Sequence, residues 1–176
     1  GLGDSLPRAM AQVLQEQTGQ TFIIDNKPGA TRVIGTRIAA HAAPDGYTIL
    51  FGSVTSMALN PILKKNLPYD PLKDFEPIAL TYESPMYLVT RPRLKVSSVK
   101  DLIALAKSEP KKLTYSSGGV GSSSHLAAEL FNTMAGTSMT HVPYSGTGPA
   151  IRDTMAGVVD LTFTASGMSY ASQGQV

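Results

Sequence analysis

Residues 114–125 carry the side chains best suited to chemistry, in the order Thr-Tyr-Ser-Ser-Gly-Gly-Val-Gly-Ser-Ser-Ser-His. The pattern predicts a short strand, a glycine turn and the start of a serine-capped helix. The first turn of a helix has amide N–H groups without intrahelical acceptors, at the positive end of the helix dipole. Glycines let an anion approach the backbone, and serine hydroxyls add donors. The segment therefore predicts a cradle for a carboxylate or a phosphate, and we call residues 117–122 the glycine–serine turn.

Other catalytic and nucleotide-binding motifs are incomplete in this segment. The P-loop lysine is missing, and Gly119 and Gly121 are not followed by the third glycine of a dinucleotide fingerprint. A serine nucleophile at Ser122, with His125 and Asp153 as its partners, is an alternative, although no G-x-S-x-G elbow is present. Structural glycine–serine turns also precede helices, so the residues of the turn alone leave a functional and a structural interpretation equally open.

The histidines do not predict a metal site. His41, His125 and His141 show no i,i+4 pairing and no carboxylate at a ligand spacing, whereas zinc needs three or four protein ligands. We expect His125, in the first turn of its helix, to pack against a neighbouring loop or donate to it. The chain has no cysteine, which excludes disulfides and thiolate ligands. We therefore expect no metal and no cofactor.

The composition is that of an ordinary globular protein. The 176 residues are 42% hydrophobic and 16% charged, and the formal net charge is +2. The basic residues are scattered, so nucleic-acid binding has little support. No apolar run approaches the roughly 18 residues that a membrane-spanning helix needs. The first residues read as part of a loop and residues 173–176 as the beginning of a strand, which indicates an internal piece of a longer protein.

Strands that alternate with helices predict an α/β fold with mainly parallel pairing. The predicted strands are residues 21–25, 47–52, 77–82, 86–90, 113–117, 141–144 and 158–165. The predicted helices are residues 4–18, 33–42, 98–109, 122–135 and 147–155, with a short helical turn before residue 61. Ligands in such folds gather beyond the carboxyl ends of strands, where loops 53–56, 117–123 and 144–148 are rich in small hydroxyl or glycine residues.

Two helices have apolar spacing that predicts a buried face. The inward residues predicted for the first helix are Leu6, Met10, Val13 and Leu14. Those predicted for the helix after the glycine–serine turn are Leu126, Leu130, Phe131 and Met134. Ser98 and Asp101 form a predicted capping box for the helix between these two.

Several segments form a recognisable series along the chain. They are DSLPR at 4–8, DNKPGA at 25–30, APDGYT at 43–48, NP at 60–61, LPYDP at 67–71, KDF at 73–75, VKDLIA at 99–104, SGGVGS at 117–122, HLAAELF at 125–131 and HVPYSGTGPA at 141–150. In this order they resemble the periplasmic solute-binding proteins of tripartite tricarboxylate transporters, the Bug family. The resemblance runs from end to end of the chain.

The resemblance implies an α/β protein of the two-lobed periplasmic-binding-protein type (type II, Venus-flytrap), truncated here at both ends. It places an incomplete first lobe at residues 1–88 and a second lobe, incomplete at its end, at residues 89–176. The family holds one ligand carboxylate between its first loop, residues 1–4 here, and the glycine–serine turn. The site residues implied for this chain are Gly3, Asp4, Ser53, Thr55, Ser56, Ser117, Gly119, Val120, Gly121, Ser122, Tyr144 and Thr164.

The implied function is capture of a small carboxylate in the periplasm for the membrane permease subunits of the transporter, without catalysis. Thr164 stands where the family often has an aspartate, and this favours di- or tricarboxylates or aromatic acids over amino acids. Two alternatives are a ligand-binding partner of a two-component sensor and a small serine-dependent α/β hydrolase. If the 176 residues are the whole chain, a dimer or a domain swap would be needed to cover the incomplete first lobe.

Overall fold

The computed structural model describes residues 2–167. The chain divides into two compact units, Gly1–Ile78 and Ala79–Val176. Gly1, the first residue of the implied first loop, and the predicted strand start at residues 173–176 lie outside the described residues. The lobe boundary that the resemblance places after residue 88 stays a prediction.

Helices and helical turns are the regular elements formed among the described residues of the first unit, 2–78. It contains α1 (Leu2–Thr18), a 3₁₀ turn (Ala30–Arg32), α2 (Val33–Ala40), a π-helical turn (Thr55–Leu59) and α3 (Asn60–Leu63). The predicted helices at 4–18 and 33–42 are confirmed. The short helical turn predicted to end at residue 61 continues to Leu63.

The strands predicted at residues 21–25, 47–52 and 77–82 are not formed within residues 2–167. Strand propensity is realised only when a neighbouring strand supplies cross-strand contacts, and these segments have no such neighbour among the described residues. Ile23 is accordingly 86% exposed. With no sheet against it among residues 2–167, α1 buries Pro7 and Ala11, whereas Met10 and Val13, both predicted to face inward, are 37% and 51% exposed.

A polar cluster replaces an apolar core around α3. Asn60 is fully buried, and its Nδ2 donates to the Thr31 carbonyl at 2.9 Å. The Tyr69 hydroxyl donates to the Ser56 carbonyl at 2.6 Å, and the Tyr69 ring meets Phe75 edge to face at 6.3 Å between centroids. These contacts fix the loop at residues 53–56 to the segment around Tyr69.

Over its described residues, 79–167, the second unit has a four-stranded mixed sheet and three helices. Its strands are β1 (Tyr87–Thr90), β2 (Thr114–Ser117), β3 (Thr140–Pro143) and β4 (Leu161–Thr164), in the order β1-β4-β2-β3. Its helices are α4 (Val99–Ser108), α5 (Ser123–Ala135) and α6 (Thr147–Met155). β2 runs parallel to β3 and β4, and β1 is antiparallel to β4. The α/β class is confirmed, with one antiparallel edge strand.

Local capping signals set the ends of α4 and α5. The Ser98 hydroxyl accepts from the Asp101 amide at 3.1 Å, and the Asp101 carboxylate accepts from the amide and the hydroxyl of Ser97 at 3.1 and 2.8 Å. Hydrogen bonds from Ser97 and Ser98 hold the pKa of Asp101 below its ordinary value. Ser122 caps α5, and Gly136 ends it in the left-handed region at φ 61°. Both predicted caps are confirmed.

The buried face of α5 differs from the predicted one. Leu130 and Met134 are 60% and 79% exposed. The helix instead buries Ser124, Ala128 and Asn132, at i, i+4 and i+8. Small residues let α5 approach the sheet closely. The buried Asn132 is satisfied because its Oδ1 accepts from the Thr137 hydroxyl at 3.0 Å and from a main-chain amide at 3.3 Å.

The core of this unit lies beneath α4 and α5. Its buried members are Leu94, Leu102, Ala106, Leu113, Tyr115, Ala128, Met139 and Leu161. Phe131 and Phe163 pack at its margin with ring centroids 5.8 Å apart. Tyr115 of β2 and Ala128 of α5 both belong to this core, which thus packs the two elements together.

Candidate functional site

The glycine–serine turn is held by hydrogen bonds within itself. The Gly119 amide donates to Ser117 Oγ at 3.1 Å, and the Ser122 amide donates to the Gly119 carbonyl at 3.1 Å. The Gly118 amide donates to Ser124 Oγ at 3.0 Å. The amides of Gly119 and Ser122 thus have acceptors inside the turn, and that of Gly118 has one at the start of α5, so these contacts define the shape of the turn.

Two glycines of the turn adopt conformations that L side chains rarely take. Gly119 has φ 116° and Gly121 has φ 78°. Between them, Val120 is 64% exposed. The tip of the turn is therefore open to solvent, and the glycine spacing that the sequence shows is a backbone requirement.

The start of α5 carries donors that the turn does not use. Among residues 2–167, the amides of Ser123 and Ser124 have no hydrogen-bond acceptor. The hydroxyls of Ser122 and Ser124 lie 3.1 Å apart, and both residues are buried. These groups can present N–H and O–H donors to an anion at the positive end of the helix. The implied site residues include Ser122 but omit Ser123 and Ser124, although all three belong to the serine run.

Beneath the turn, three rings form a stack. The rings of Tyr115 and His141 lie 4.9 Å apart, and those of His141 and His125 lie 4.2 Å apart, with interplanar angles of 16° and 27°. The Gly121 amide donates to His125 Nδ1 at 3.2 Å, and Ser117 Oγ lies 2.6 Å from His141 Nε2. Each histidine thus contacts one end of the turn. His125 packs as predicted, but it accepts from the turn rather than donating to it.

Burial and neighbouring groups shift the pKa values of two members of the stack, His141 and Tyr115. Burial lowers the pKa of His141, the charge of His125 lowers it further, and Glu129 opposes both. Burial, followed by a hydrogen bond to Glu129, raises the pKa of Tyr115. Spacing along the chain does not predict this stack, because the register Tyr115↔His141 and the position of α5 bring its members together.

The serine-nucleophile arrangement is not assembled. Ser122 Oγ accepts from the main-chain amide of His125 at 3.3 Å, and the His125 ring is hydrogen-bonded to Gly121 through Nδ1. The Asp153 carboxylate accepts from the Tyr144 hydroxyl at 2.7 Å. A proton relay would run from Ser122 through His125 to Asp153. The hydrogen bonds just described join each of these groups to other partners instead.

Tyr144 and Thr164 lie at the carboxyl ends of the parallel strands, as the glycine–serine turn does. The Tyr144 amide donates to the Ser117 carbonyl at 3.0 Å, directly after β3. Burial, followed by a hydrogen bond to Asp153, raises the pKa of Tyr144 to about 12. Thr164 ends β4, is buried, and accepts from the Ser166 amide at 3.2 Å. Because β2, β3 and β4 are parallel, their carboxyl ends lie at the same end of the sheet and bring these residues together there.

In the first unit, the implied residues fall into two groups. Ser53 and Ser56 close a turn in which the Ser53 amide donates to Ser56 Oγ at 3.0 Å, and Thr55 is buried beside it. Asp4 accepts from Arg8 Nε at 3.0 Å and from Asn26 Nδ2. Hydrogen bonds from Arg8 and then Asn26 lower the pKa of Asp4.

Gly3 has a cationic neighbour in the first unit. A Cβ added at Gly3 would meet the Arg32 guanidinium at 3.6 Å. Arg32 itself has φ 70°, and it follows Ala30 and Thr31, which also have positive φ. The sequence pattern does not predict that Gly3 and Arg32 lie close together.

Two classes of feature are missing from the part of the chain that the structure describes. Within residues 2–167, no helix combines the length and the apolar character needed to cross a bilayer. The same residues contain no group of three or more His, Asp or Glu side chains placed to bind a metal ion.

Known proteins resemble the chain over nearly all of its length. A family model described as "Tripartite tricarboxylate transporter family receptor" (TctC) matches residues 6–176. Protein BugT of Bordetella pertussis is 38% identical over 160 residues, which cover 90% of this chain and 49% of BugT. The chain therefore spans about half the length of the curated relatives it matches.

Solved structures give the same result. A structure described as a periplasmic transporter matches with a TM-score of 0.96 and 36% identity, over 99% of this chain and 59% of that one. An R. palustris protein with adipate matches with a TM-score of 0.93 and 38% identity, over 98% and 58%. MatC from Rhodopseudomonas palustris with bound malate matches with a TM-score of 0.90 and 30% identity, over 99% and 60%. These similarities confirm the predicted periplasmic-binding-protein fold class, and the chain belongs to the tripartite tricarboxylate transporter receptor (TctC) family.

Proposed function

We propose that the chain is the ligand-binding part of a periplasmic receptor that captures a small di- or tricarboxylate or an aromatic acid for membrane permease subunits. The observation that carries the proposal is the 38% identity, at a TM-score of 0.93, to the R. palustris protein solved with adipate. The malate-bound relative supports the same ligand class. Binding without catalysis is the activity proposed.

The donors at the start of α5 support a carboxylate ligand. The amides of Ser123 and Ser124 and the hydroxyl of Ser122 converge on one helix N-terminus. Hydrogen bonds from neutral donors to a carboxylate are charge-assisted, so the site does not require an arginine. We propose that the implied residues of the second unit, all near the carboxyl ends of the parallel strands, contact the ligand. They are Ser117, Gly119, Val120, Gly121, Ser122, Tyr144 and Thr164.

The first unit supplies the remaining proposed ligand contacts. We include Gly3, Asp4, Ser53, Thr55 and Ser56. Arg32, near Gly3, adds a positive charge on that unit. Thr164 is a neutral hydroxyl residue, which supports ligands that carry no ammonium group.

Calorimetric titration tests the proposal. The protein is titrated with adipate, malate, citrate and a benzoate, and with adipamide as a matched uncharged control. We expect at least one carboxylate to bind and adipamide to show no binding, because the amide lacks the charge that strengthens each hydrogen bond. Equal affinity for adipate and adipamide, or no binding of any carboxylate, would contradict the proposal.

A further inference from the structure

We propose that His125 is a positioning residue for the glycine–serine turn, and that protonation of its ring releases the turn and weakens carboxylate binding. The proposal rests on the proposed function, because its consequence is read as ligand affinity. The contact on which it depends, between His125 and Gly121, exists without any ligand.

His125 is joined to the turn twice. Its ring accepts the Gly121 amide at Nδ1, 3.2 Å away, and its own amide donates to Ser122 Oγ at 3.3 Å. Gly121 sits in the left-handed region at φ 78°, directly before the capping serine. The ring contact therefore fixes the residue at which the backbone turns into the helix whose amides are proposed to hold the ligand.

The ring contact requires a neutral imidazole. A nitrogen that accepts a hydrogen bond carries no proton, so Nδ1 is bare and Nε2 carries the hydrogen. An imidazolium has donors at both nitrogens and no acceptor. Protonation of His125 would place an N–H against the Gly121 N–H, and the turn would have to move to relieve the contact.

The groups that face His125 are His141, Tyr115 and Glu129. The His141 ring lies 4.2 Å away on β3, and Tyr115 on β2 lies 6.3 Å away. Glu129 on α5 is hydrogen-bonded to the Tyr115 hydroxyl, and its charge favours a positive charge on His141. Two adjacent imidazolium rings repel one another, so the pair gains its second proton less readily than its first.

A proton on His141 would leave its contact with the turn intact, whereas a proton on His125 would break its contact. Its Nε2 faces Ser117 Oγ at 2.6 Å, and a hydroxyl can either donate or accept. When His141 is protonated, the ring N–H donates to Ser117 Oγ, and the serine hydrogen turns to the Gly119 carbonyl at 3.2 Å. An amide N–H such as that of Gly121 has no such choice. The pH sensitivity is therefore assigned to His125.

Affinity measured against pH in matched variants tests the proposal. Adipate is titrated calorimetrically at about pH 7.5, 6.5 and 5.5, the range in which histidine changes charge. The variants are His125→Asn, which keeps an acceptor near the Nδ1 position but does not titrate, His125→Ala, and His41→Asn. His41 is an exposed histidine of the first unit, hydrogen-bonded to the Arg37 carbonyl, so its replacement controls for a general histidine effect.

We expect the wild type and His41→Asn to lose about tenfold more affinity on acidification than His125→Asn, as expected for one hydrogen bond of about 1.4 kcal/mol. The loss seen in His125→Asn reports protonation of adipate itself. His125→Ala should bind about tenfold more weakly than His125→Asn at neutral pH. Identical pH profiles for wild type and His125→Asn, or a gain in wild-type affinity on acidification, would overturn the proposal.

A ligand-free measurement separates this proposal from the proposed function. The Gly121 amide proton is followed by NMR across the same pH range. We expect its chemical shift to follow the His125 titration in wild type and to stay constant in His125→Asn. If no carboxylate binds at neutral pH, the proposed function fails, while this titration still decides whether His125 positions the turn. A Gly121 shift that ignores His125 would overturn the positioning.

Discussion

At the scale of single residues, Ser122 combines helix capping with a place in the proposed site. Its Oγ accepts from the His125 amide at 3.3 Å and lies 3.1 Å from Ser124 Oγ. The cap uses a lone pair of the hydroxyl, and the hydroxyl hydrogen stays available to Ser124 or to a ligand. Removing Ser122 Oγ should therefore affect stability and binding by separate mechanisms.

Ser98 provides a matched control, because it caps α4 by the same contact at 3.1 Å. We expect Ser122→Ala and Ser98→Ala each to lower the free energy of unfolding by about 1 kcal/mol, the usual effect of a lost cap. Only Ser122→Ala should weaken carboxylate binding, by about tenfold or more, as for a hydrogen bond to a charged group. Urea unfolding and calorimetry measure the two effects. Equal affinities in both variants would remove Ser122 from the site.

Residue-scale features are predictable from sequence when their causes are local. The caps at Ser98 and Ser122 depend on residues within one helical turn, and both are confirmed. The stack of Tyr115, His141 and His125 depends on strand register and helix packing, so spacing along the chain could not reveal it.

At the scale of elements, Asp160 links neighbouring strands of the sheet through side-chain hydrogen bonds. Its carboxylate accepts from Arg91 Nε at 2.8 Å, and from the amide and hydroxyl of Thr114 at 2.9 and 3.0 Å. Arg91 follows β1, Thr114 begins β2, and Asp160 precedes β4. The Asp160 carboxylate therefore joins three strands of the sheet.

The titration of Asp160 sets the direction of a pH effect on stability. Burial alone would raise its pKa, but hydrogen bonds from Thr114 and then Arg91 outweigh burial and hold the pKa below its ordinary value. A carboxylate with a lowered folded-state pKa contributes stability above its unfolded-state pKa of about 3.9. That stability is lost as the pH falls through the folded-state pKa.

We expect Asp160→Asn to lower the free energy of unfolding by about 1–3 kcal/mol at neutral pH, because one partner of several charge-assisted hydrogen bonds is removed. The difference from wild type should shrink below about pH 4. Urea unfolding at several pH values measures both effects. Glu109→Gln, which alters an exposed pair with Lys112 at 2.6 Å, is the control and should change little. A wild-type advantage that persists unchanged to about pH 2 would show that the charge of Asp160 is unimportant.

Strands were predictable where the described chain also contains the neighbouring strands with which they pair. The strands around residues 87, 115, 141 and 162 pair with one another inside the second unit, and each was predicted within a few residues. The segments at 21–25 and 47–52 have equally strong β-branched and aromatic composition. They form no strand among the described residues, because composition cannot supply a neighbour.

At the scale of the whole molecule, the two units differ in how their backbone is satisfied. Residues 115–117 lie on β2, between β3 and β4. All three pair with β3, and Tyr115 and Ser116 also pair with β4. Among residues 2–167, no amide in 21–25 donates a hydrogen bond. Exchange of an amide hydrogen is slowed by hydrogen bonding and by burial, so local protection reports this difference directly.

We expect hydrogen exchange of the 176-residue chain, followed by mass spectrometry, to be fast in peptides covering 21–25 and slow in peptides covering 115–117. Added carboxylate should slow exchange further at residues 117–124, because a ligand bound at the start of α5 stabilises that segment. Equal protection of the two segments would contradict the unpaired state of 21–25. If that protection also grew with protein concentration, the segment would be pairing with a second copy of the chain, since an unpaired strand is a template for another. Dilution therefore separates a partner supplied by another copy from one supplied within the same chain.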